Sequence, residues 1–81
     1  MVGAYSASKA ALVALFKSIA LENKDAGITA NTVLPGAMDT PANTGTNLVR
    51  PAQVAALLVH LAGDGAADIT GAAIPIYGGQ L

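Results

Sequence analysis

The sequence predicts an α/β fold in which a long helix, a short strand, a second helix and a second short strand follow one another. Two observations lead to this order. Apolar residues recur at helical spacing in two segments of the chain, and a short run with β-branched residues follows each of them. A strand, a crossover helix and a second strand form one parallel βαβ unit, which almost always winds right-handed. We therefore expect the two strands to be parallel neighbours.

The first predicted helix covers residues 4–25. No proline or glycine interrupts this segment, and Gly27 follows its end as a stop signal. Alanines fill much of the helix circumference between the large apolar side chains, so the helix is apolar nearly all round and needs cover on more than one side. We expect this chain alone to bury those large side chains incompletely. They are Leu12, Leu15, Phe16 and Ile19.

The first predicted strand covers residues 28–34. It is rich in β-branched residues, and the breaker pair Pro35 and Gly36 closes it. The following segment, residues 37–50, is rich in threonine, asparagine and glycine and shows no period. We expect a loop in this segment, with or without one turn of helix.

The second helix is predicted for residues 51–62, because proline is a favourable first helical residue and a glycine follows at position 63. His60, the only histidine, falls off the apolar stripe of this helix, so we assign it no catalytic or metal role. The second strand is predicted for residues 72–77, and Pro75 within it indicates an edge position. The apolar stripe of the second helix consists of Val54, Leu57, Leu58 and Leu61.

The composition limits the classes of function. A chain of 81 residues is short, and at this size only about 60% of the surface of the unfolded chain is buried on folding. Yet 53% of the residues are hydrophobic and 11% are charged, which suits the interior of a larger α/β protein. We interpret the chain as a fragment. Its formal net charge of −1, without a run of either sign, disfavours binding to nucleic acid or to an anionic membrane.

The lack of cysteine excludes disulfides, zinc–thiolate sites and thiol nucleophiles, and it allows a reducing compartment. A secretory signal is disfavoured because Lys17 ends the apolar run of residues 10–16 near the minimum length for such a signal. No uninterrupted apolar stretch reaches the roughly 18 residues of a membrane span. We therefore expect a cytoplasmic protein without a metal site.

Tyr5 and Lys9 stand four residues apart in the first helix, so their side chains leave the same face. A free phenol, with a pKa of about 10, is a poor base at neutral pH, but a neighbouring ammonium favours the phenolate. The pair therefore has the parts of a general acid/base for an alcohol or carbonyl. The same spacing also arises by chance in helices, where a lysine stem packs beside a partly buried tyrosine.

Four further motif pieces accompany this pair at fixed distances: "NTVLPG" on the first strand, "DTP" after it, "ITG" before the last strand and "GG" near the end. With them the chain resembles the short-chain dehydrogenase/reductase family over nearly its whole length. The resemblance implies that residues 1–81 are the C-terminal portion of a Rossmann-like, doubly wound parallel sheet. It also implies reversible hydride transfer between NAD or NADP and a small-molecule alcohol or carbonyl substrate.

The resemblance assigns a role to each residue that matches a family motif. Tyr5 is the proton donor or acceptor. Lys9 supports the phenolate and holds the nicotinamide ribose, so both residues are also coenzyme ligands. Pro35 and Gly36 end a strand whose unobstructed backbone lies against the nicotinamide.

Two positions beyond Gly36 complete the implied coenzyme site. Met38 stands where a valine or isoleucine meets the carboxamide through its backbone, and Thr40 stands where a threonine reaches the carboxamide or phosphate. Methionine departs from the usual residue type. Tyr77 is another departure, because it takes the place of the aspartate in the family's final Asp-Gly-Gly.

Other parts of the family's machinery have no counterpart in this sequence: the Gly-rich phosphate loop, the residue that selects NAD or NADP, the Asn-Ala-Gly stretch and the catalytic serine. We therefore expect weak or no coenzyme binding and no catalysis by the isolated chain. An alternative function is that of an inactive remnant which acts as an association module, because family members commonly use the first helix to form homo-oligomers. A generic small α/β domain with a coincidental tyrosine–lysine pair is the third interpretation.

Overall fold

The computed structural model describes residues 2–80. Its helices and strands alternate in the predicted order. Within the described residues a short 3-10 turn follows α1, α2 and β2. The main elements are α1 (Val2–Asn23), β1 (Thr32–Pro35), α2 (Pro51–Ala62) and β2 (Ala73–Ile76). The turns are Lys24–Ala26, Asp64–Ala66 and Gly78–Gln80.

β1 and β2 are parallel neighbours, as predicted. Their register runs from Thr32 opposite Ala73 to Pro35 opposite Ile76. Pro75 lies in β2, at an edge of the two-stranded sheet that residues 2–80 form. The α/β class and the crossover by α2 are therefore confirmed.

The predicted bounds of the first strand are wrong at residues 28–31, which lie outside β1, and at Pro35, which β1 includes. Backbone pairing is irregular at residues 28–31, with a bond from the Gly71 N–H to the Ala30 carbonyl at 2.8 Å, and side-chain hydrogen bonds supplement it. The Asn31 amide donates to the Ile69 carbonyl at 3.0 Å, and its oxygen accepts from the Ala72 N–H at 3.0 Å. The Thr70 hydroxyl accepts from the Ala30 N–H at 3.1 Å. These contacts fix the entries of both strands without regular pairing, and they leave residue 72 outside β2. The predicted second strand is also wrong at residue 77, which follows the end of β2.

α1 begins two residues before its predicted start and ends at Asn23, after which the chain tightens into the 3-10 turn. Gly27 then takes the left-handed conformation, with φ 72° and ψ 22°, and its N–H bonds to the Lys24 carbonyl. Residues with a Cβ adopt this conformation at a steric cost, so glycine is the favoured terminator. The predicted stop signal at Gly27 is confirmed.

The apolar surface of α1 is incompletely covered, as its composition predicts. Leu15 is 55% exposed and Leu12 is 37% exposed, while Phe16 and Ile19 are half-buried. The hydrophobic residues that are buried within the described chain are small or medium in size: Ala20, Val49 and Ala66. A core of this kind holds the βαβ unit together but leaves much of α1 without a packing partner.

One segment of the described chain, Gly3–Ala26, is long and apolar enough to cross a membrane by length and composition. It is α1 together with the turn that follows it. Core helices of soluble proteins meet the same criterion, and Lys9, Lys17 and Glu22 interrupt the apolar sequence. The finding is therefore only weak evidence for a membrane span.

α2 has the predicted bounds, and His60 is exposed in its last turn. The loop of residues 37–50 contains no helical turn; isolated bridges join Met38 to Val49 and Thr40 to Asn43 instead. Val49 is buried and anchors the end of this loop. The loop thus returns close to the end of β1 before α2 begins.

Candidate active site

A cavity of about 370 Å³ lies between the first turns of α1 and the ends of the two strands. The carboxyl ends of neighbouring parallel strands meet at one edge of a sheet, where open α/β sheets bind their ligands. Four residues that the sequence predicts as site residues line this cavity together. The lining consists of Tyr5, Ser6, Lys9, Leu34, Pro35, Gly36 and Tyr77.

The helix presents Tyr5 and Lys9 to the cavity as one unit. The Lys9 Nζ atom lies over the Tyr5 ring, 5.4 Å from its centroid, which is within cation–π range. The Ser8 hydroxyl donates to the Tyr5 carbonyl at 2.9 Å, a bond within the helix that leaves the phenol free. Tyr5 is 62% exposed, so water screens the attraction between the ammonium and the ring.

The cavity combines polar groups on one side with apolar walls on the other. Tyr5 supplies a hydroxyl that donates and accepts hydrogen bonds, and Lys9 supplies an ammonium that only donates. Leu34 and the ring of Tyr77 supply apolar surface, and Gly36 adds backbone without a side chain. This arrangement suits a flat ligand with polar groups at one edge.

Met38 and Thr40 do not line this cavity. The Asn43 amide donates to the Met38 carbonyl at 3.3 Å. The backbone groups of Thr40 and Asn43 bond to each other at 3.1 and 3.0 Å. Both residues therefore lie in the folded loop beyond Gly36, and their coenzyme role stays a prediction.

Sequence reasoning missed three residues of the cavity lining, which are Ser6, Leu34 and Tyr77, and it also missed Gln80 beside the cavity. Tyr77 directly follows β2, as Gly36 follows β1, so the parallel pairing brings both to the same cavity. That signal was present in the sequence, because parallel strands align their carboxyl ends. Gln80 lies outside the cavity lining, and its side chain bonds to the backbone of Ala37. No motif in the sequence indicates that contact.

A larger cavity of about 620 Å³ lies along β1 between the two helices. Its walls are mostly apolar, and they include no titratable side chain among the described residues. It therefore lacks the groups for proton transfer. The candidate active site is the smaller cavity, which contains the phenol and the ammonium.

Known proteins are similar to this chain in sequence. A family profile described as enoyl-(acyl carrier protein) reductase matches residues 1–80. The 3-oxoacyl-[acyl-carrier-protein] reductase MabA of Mycobacterium tuberculosis is 36% identical over 91 residues, which cover 94% of this chain and 37% of MabA. The 2,5-dichloro-2,5-cyclohexadiene-1,4-diol dehydrogenase LinX of Sphingobium indicum is 37% identical, over 93% of this chain and 36% of LinX.

Solved structures are also similar to this chain. A 4-hydroxyisoleucine dehydrogenase complexed with NADH has a TM-score of 0.82 at 31% identity, over 96% of this chain and 38% of that one. A Serratia marcescens short-chain dehydrogenase/reductase has a TM-score of 0.84 at 34% identity, over 94% of this chain and 37% of that one. The chain spans little more than a third of the length of these relatives. It belongs to the short-chain dehydrogenase/reductase family.

Proposed function

We propose that residues 1–81 are the C-terminal part of a Rossmann-type oxidoreductase domain and carry the acid/base group and part of the nicotinamide site. The reaction is reversible hydride transfer between NAD(P) and an alcohol or carbonyl carbon. One observation carries this proposal: Tyr5 and Lys9 share a cavity with Pro35 and Gly36, although the two pairs come from separate segments of the chain.

The Tyr5 hydroxyl is the proton donor to the carbonyl oxygen in reduction and the proton acceptor from the alcohol in oxidation. Negative charge develops on the phenol oxygen as the proton leaves. The Lys9 ammonium, which lies over the same ring, stabilises that charge. Exclusion of water from this pair would strengthen the effect, because both side chains are exposed in the isolated chain.

The residues of the cavity fit a nicotinamide nucleotide. The Tyr5 hydroxyl and the Lys9 ammonium are suited to the hydroxyls of a ribose, and the apolar wall of Leu34 and Tyr77 is suited to a flat ring. Gly36 allows close approach because it has no side chain. When bound, NAD or NADP supplies or accepts the hydride. Met38 and Thr40 would contact the carboxamide and phosphate from the adjacent loop.

The free edge of β1 supports the placement of this chain within a larger sheet. Within residues 2–80, β1 pairs with a strand on one side only, and the larger cavity lies beside it. The buried Thr32 hydroxyl oxygen has no hydrogen-bond partner among the described residues. Two strands alone make a marginal sheet, and buried polar groups are normally bonded. Further sequence beside β1 would extend the sheet and bring polar groups near Thr32.

The exposed surface of α1 favours the second candidate function, that of an inactive association module. Leu15 is 55% exposed and Leu21 is 70% exposed on this helix. Burial of such side chains against a second copy would make the protein a homo-oligomer through α1. Gel filtration together with coenzyme titration separates the two functions, because the module would associate without binding NAD(P).

Replacement of Lys9 tests the proposed function in a chimera in which residues 1–81 replace the matching 37% of MabA. Loss of a hydrogen bond from a charged group costs about 1.5–3 kcal/mol, so Lys9→Ala should raise the dissociation constant of the coenzyme about 10- to 100-fold. Fluorescence titration with NADH and NADPH measures this constant. Lys17→Ala, on the same helix but outside the cavity, is the control. Equal effects of the two substitutions would contradict the proposal.

A further inference from the structure

Gln80 joins three segments beside the candidate active site. Its side-chain oxygen accepts a hydrogen bond from the Ala37 N–H at 3.0 Å. Its side-chain nitrogen donates to the Ala37 carbonyl at 2.8 Å and to the Asn47 carbonyl at 2.9 Å. Both donor hydrogens and the acceptor oxygen of this amide are therefore used. We call these three hydrogen bonds the Gln80 clamp.

The clamp rests directly on Gly36. A Cβ atom built on Gly36 would lie 2.6 Å from the Gln80 Oε1 atom, closer than real Cβ atoms approach their neighbours. The Gln80 amide therefore occupies the space that a side chain at position 36 would need. Because that amide is the end of a flexible side chain, a methyl group at position 36 would displace it rather than the backbone.

The clamp begins where the sheet ends. The Gly36 N–H donates to the Ile76 carbonyl at 2.9 Å, which is the last link between the two strand ends. The next N–H, that of Ala37, has the Gln80 oxygen as its acceptor. The Ala37 carbonyl accepts from the Val49 N–H at 2.9 Å as well as from Gln80. Gln80 thus continues the hydrogen bonding of the sheet into the first residue of the loop.

The other end of the clamp is a backbone position of unusual conformation. Asn47 has a positive φ of 59°, which asparagine tolerates better than most residues. A Cβ on Gly79 would lie 2.8 Å from the Asn47 side-chain oxygen, so this contact is also close. The last turn therefore contacts the loop of residues 37–50 in two ways. Gln80 makes hydrogen bonds to it, and Gly79 packs closely against the Asn47 side chain.

We propose that Gln80 is a positioning residue of the candidate active site. Its amide holds the peptide groups that flank Gly36, and so it fixes the distance of this wall from Tyr5 and Lys9. It also fixes the start of the loop that carries the predicted coenzyme ligands beyond Gly36. The assignment of this cavity as a coenzyme site rests on the proposed function. The hydrogen bonds of the Gln80 clamp can be measured in the chain alone, without a ligand.

Two substitutions separate hydrogen bonding from packing. Gln80→Ala removes all three bonds. Gln80→Glu keeps the size and one acceptor oxygen, but it turns a second oxygen toward the carbonyls of Ala37 and Asn47. Two acceptors facing each other repel, so both variants should open the clamp. Gln53→Ala and Gln53→Glu are the matched controls, because Gln53 is exposed on α2 and outside the cavity.

Amide hydrogen exchange, followed by NMR on the 81-residue chain, detects the clamp. We expect Gln80→Ala and Gln80→Glu to accelerate exchange at Ala37 about tenfold or more, while exchange at Gly36 and Thr32 changes by less than about twofold. A general loss of stability would accelerate all three amides together. Unchanged exchange at Ala37, or equal acceleration at all three positions, would overturn the proposal.

A double substitution tests the contact with Gly36. We expect Gly36→Ala alone to accelerate exchange at Ala37, because the new methyl group displaces the Gln80 amide. Addition of Gln80→Ala should then have no further effect, since both changes break the same contact. If the double variant accelerates exchange at Ala37 by the product of the two separate factors, the proposed contact between Gly36 and Gln80 is wrong. The coupling is independent of any ligand.

Coenzyme titration of the chimera tests the positioning role. Gln80→Ala should raise the dissociation constant of NADH or NADPH about tenfold, because a displaced wall loses its contacts with the ligand. Gln53→Ala should leave the constant unchanged. If Gln80→Ala accelerates amide exchange at Ala37 but leaves the coenzyme dissociation constant unchanged, Gln80 is not a positioning residue of this site.

One further outcome distinguishes the two proposals. If Lys9→Ala leaves the coenzyme affinity of the chimera unchanged, while the Gln80 variants still accelerate amide exchange at Ala37, then the proposed function is wrong and the Gln80 clamp is still supported.

Discussion

The Tyr5→Phe chimera is expected to lose nearly all hydride transfer, by a factor of about 10² to 10⁴ in kcat, because general acid/base catalysis contributes that much. The substitution removes one oxygen atom and keeps the ring over which the Lys9 ammonium lies. The lost hydroxyl is also a proposed ribose contact, but a hydrogen bond of this kind contributes only about 0.5–1.5 kcal/mol, so coenzyme affinity should change less than kcat. Steady-state kinetics of the MabA chimera with the substrate of MabA measures kcat, and coenzyme titration measures the affinity.

His60→Ala is the control for this prediction. His60 is exposed in the last turn of α2 and does not line the cavity, so its loss should leave the rate intact. A chimera that is indifferent to Tyr5→Phe, or one that depends on His60, would show that the acid/base group lies elsewhere.

The 81-residue chain by itself should show no turnover with NAD(H) or NADP(H). It carries the proposed proton donor but no Gly-rich turn for the pyrophosphate, so the coenzyme would lack its main anchor. Orientation of two reactants lowers the activation barrier of such reactions by up to about 7–11 kcal/mol. A loosely held nicotinamide loses most of this reduction. Absorbance at the NADH band, with the chain and the chimera at equal concentration, measures the difference. Robust activity of the chain alone would contradict this account.

Long periodic segments and strong breakers made most of the fold predictable. α2 has the predicted bounds because Pro51 and Gly63 are unambiguous signals and the stripe between them has a clear period. The parallel pairing follows from the order of the elements. The entry to β1 was not predictable in the same way, because the Asn31 side chain bonds to a segment about forty residues away along the chain, where the backbone pairing is irregular.

The candidate site was predictable where chemistry and local geometry coincide. Tyr5 and Lys9 meet because the helix aligns them, and Gly36 joins them because strand ends face the same edge. Gln80 was not predictable, since its role depends on where the last turn meets the loop after β1. Such contacts arise from tertiary structure and leave no pattern in a single sequence.

We propose that the cavity of Tyr5, Lys9 and Gly36 receives the nicotinamide end of NAD(P). NMR of the chimera, with only residues 1–81 isotope-labelled, tests it during titration with NADH. We predict that the largest chemical-shift changes occur at Tyr5, Lys9 and Gly36, with little change at Phe16 and Leu58 in the larger cavity. Changes centred on that larger cavity, or binding that leaves Tyr5 and Gly36 unperturbed, would contradict the account.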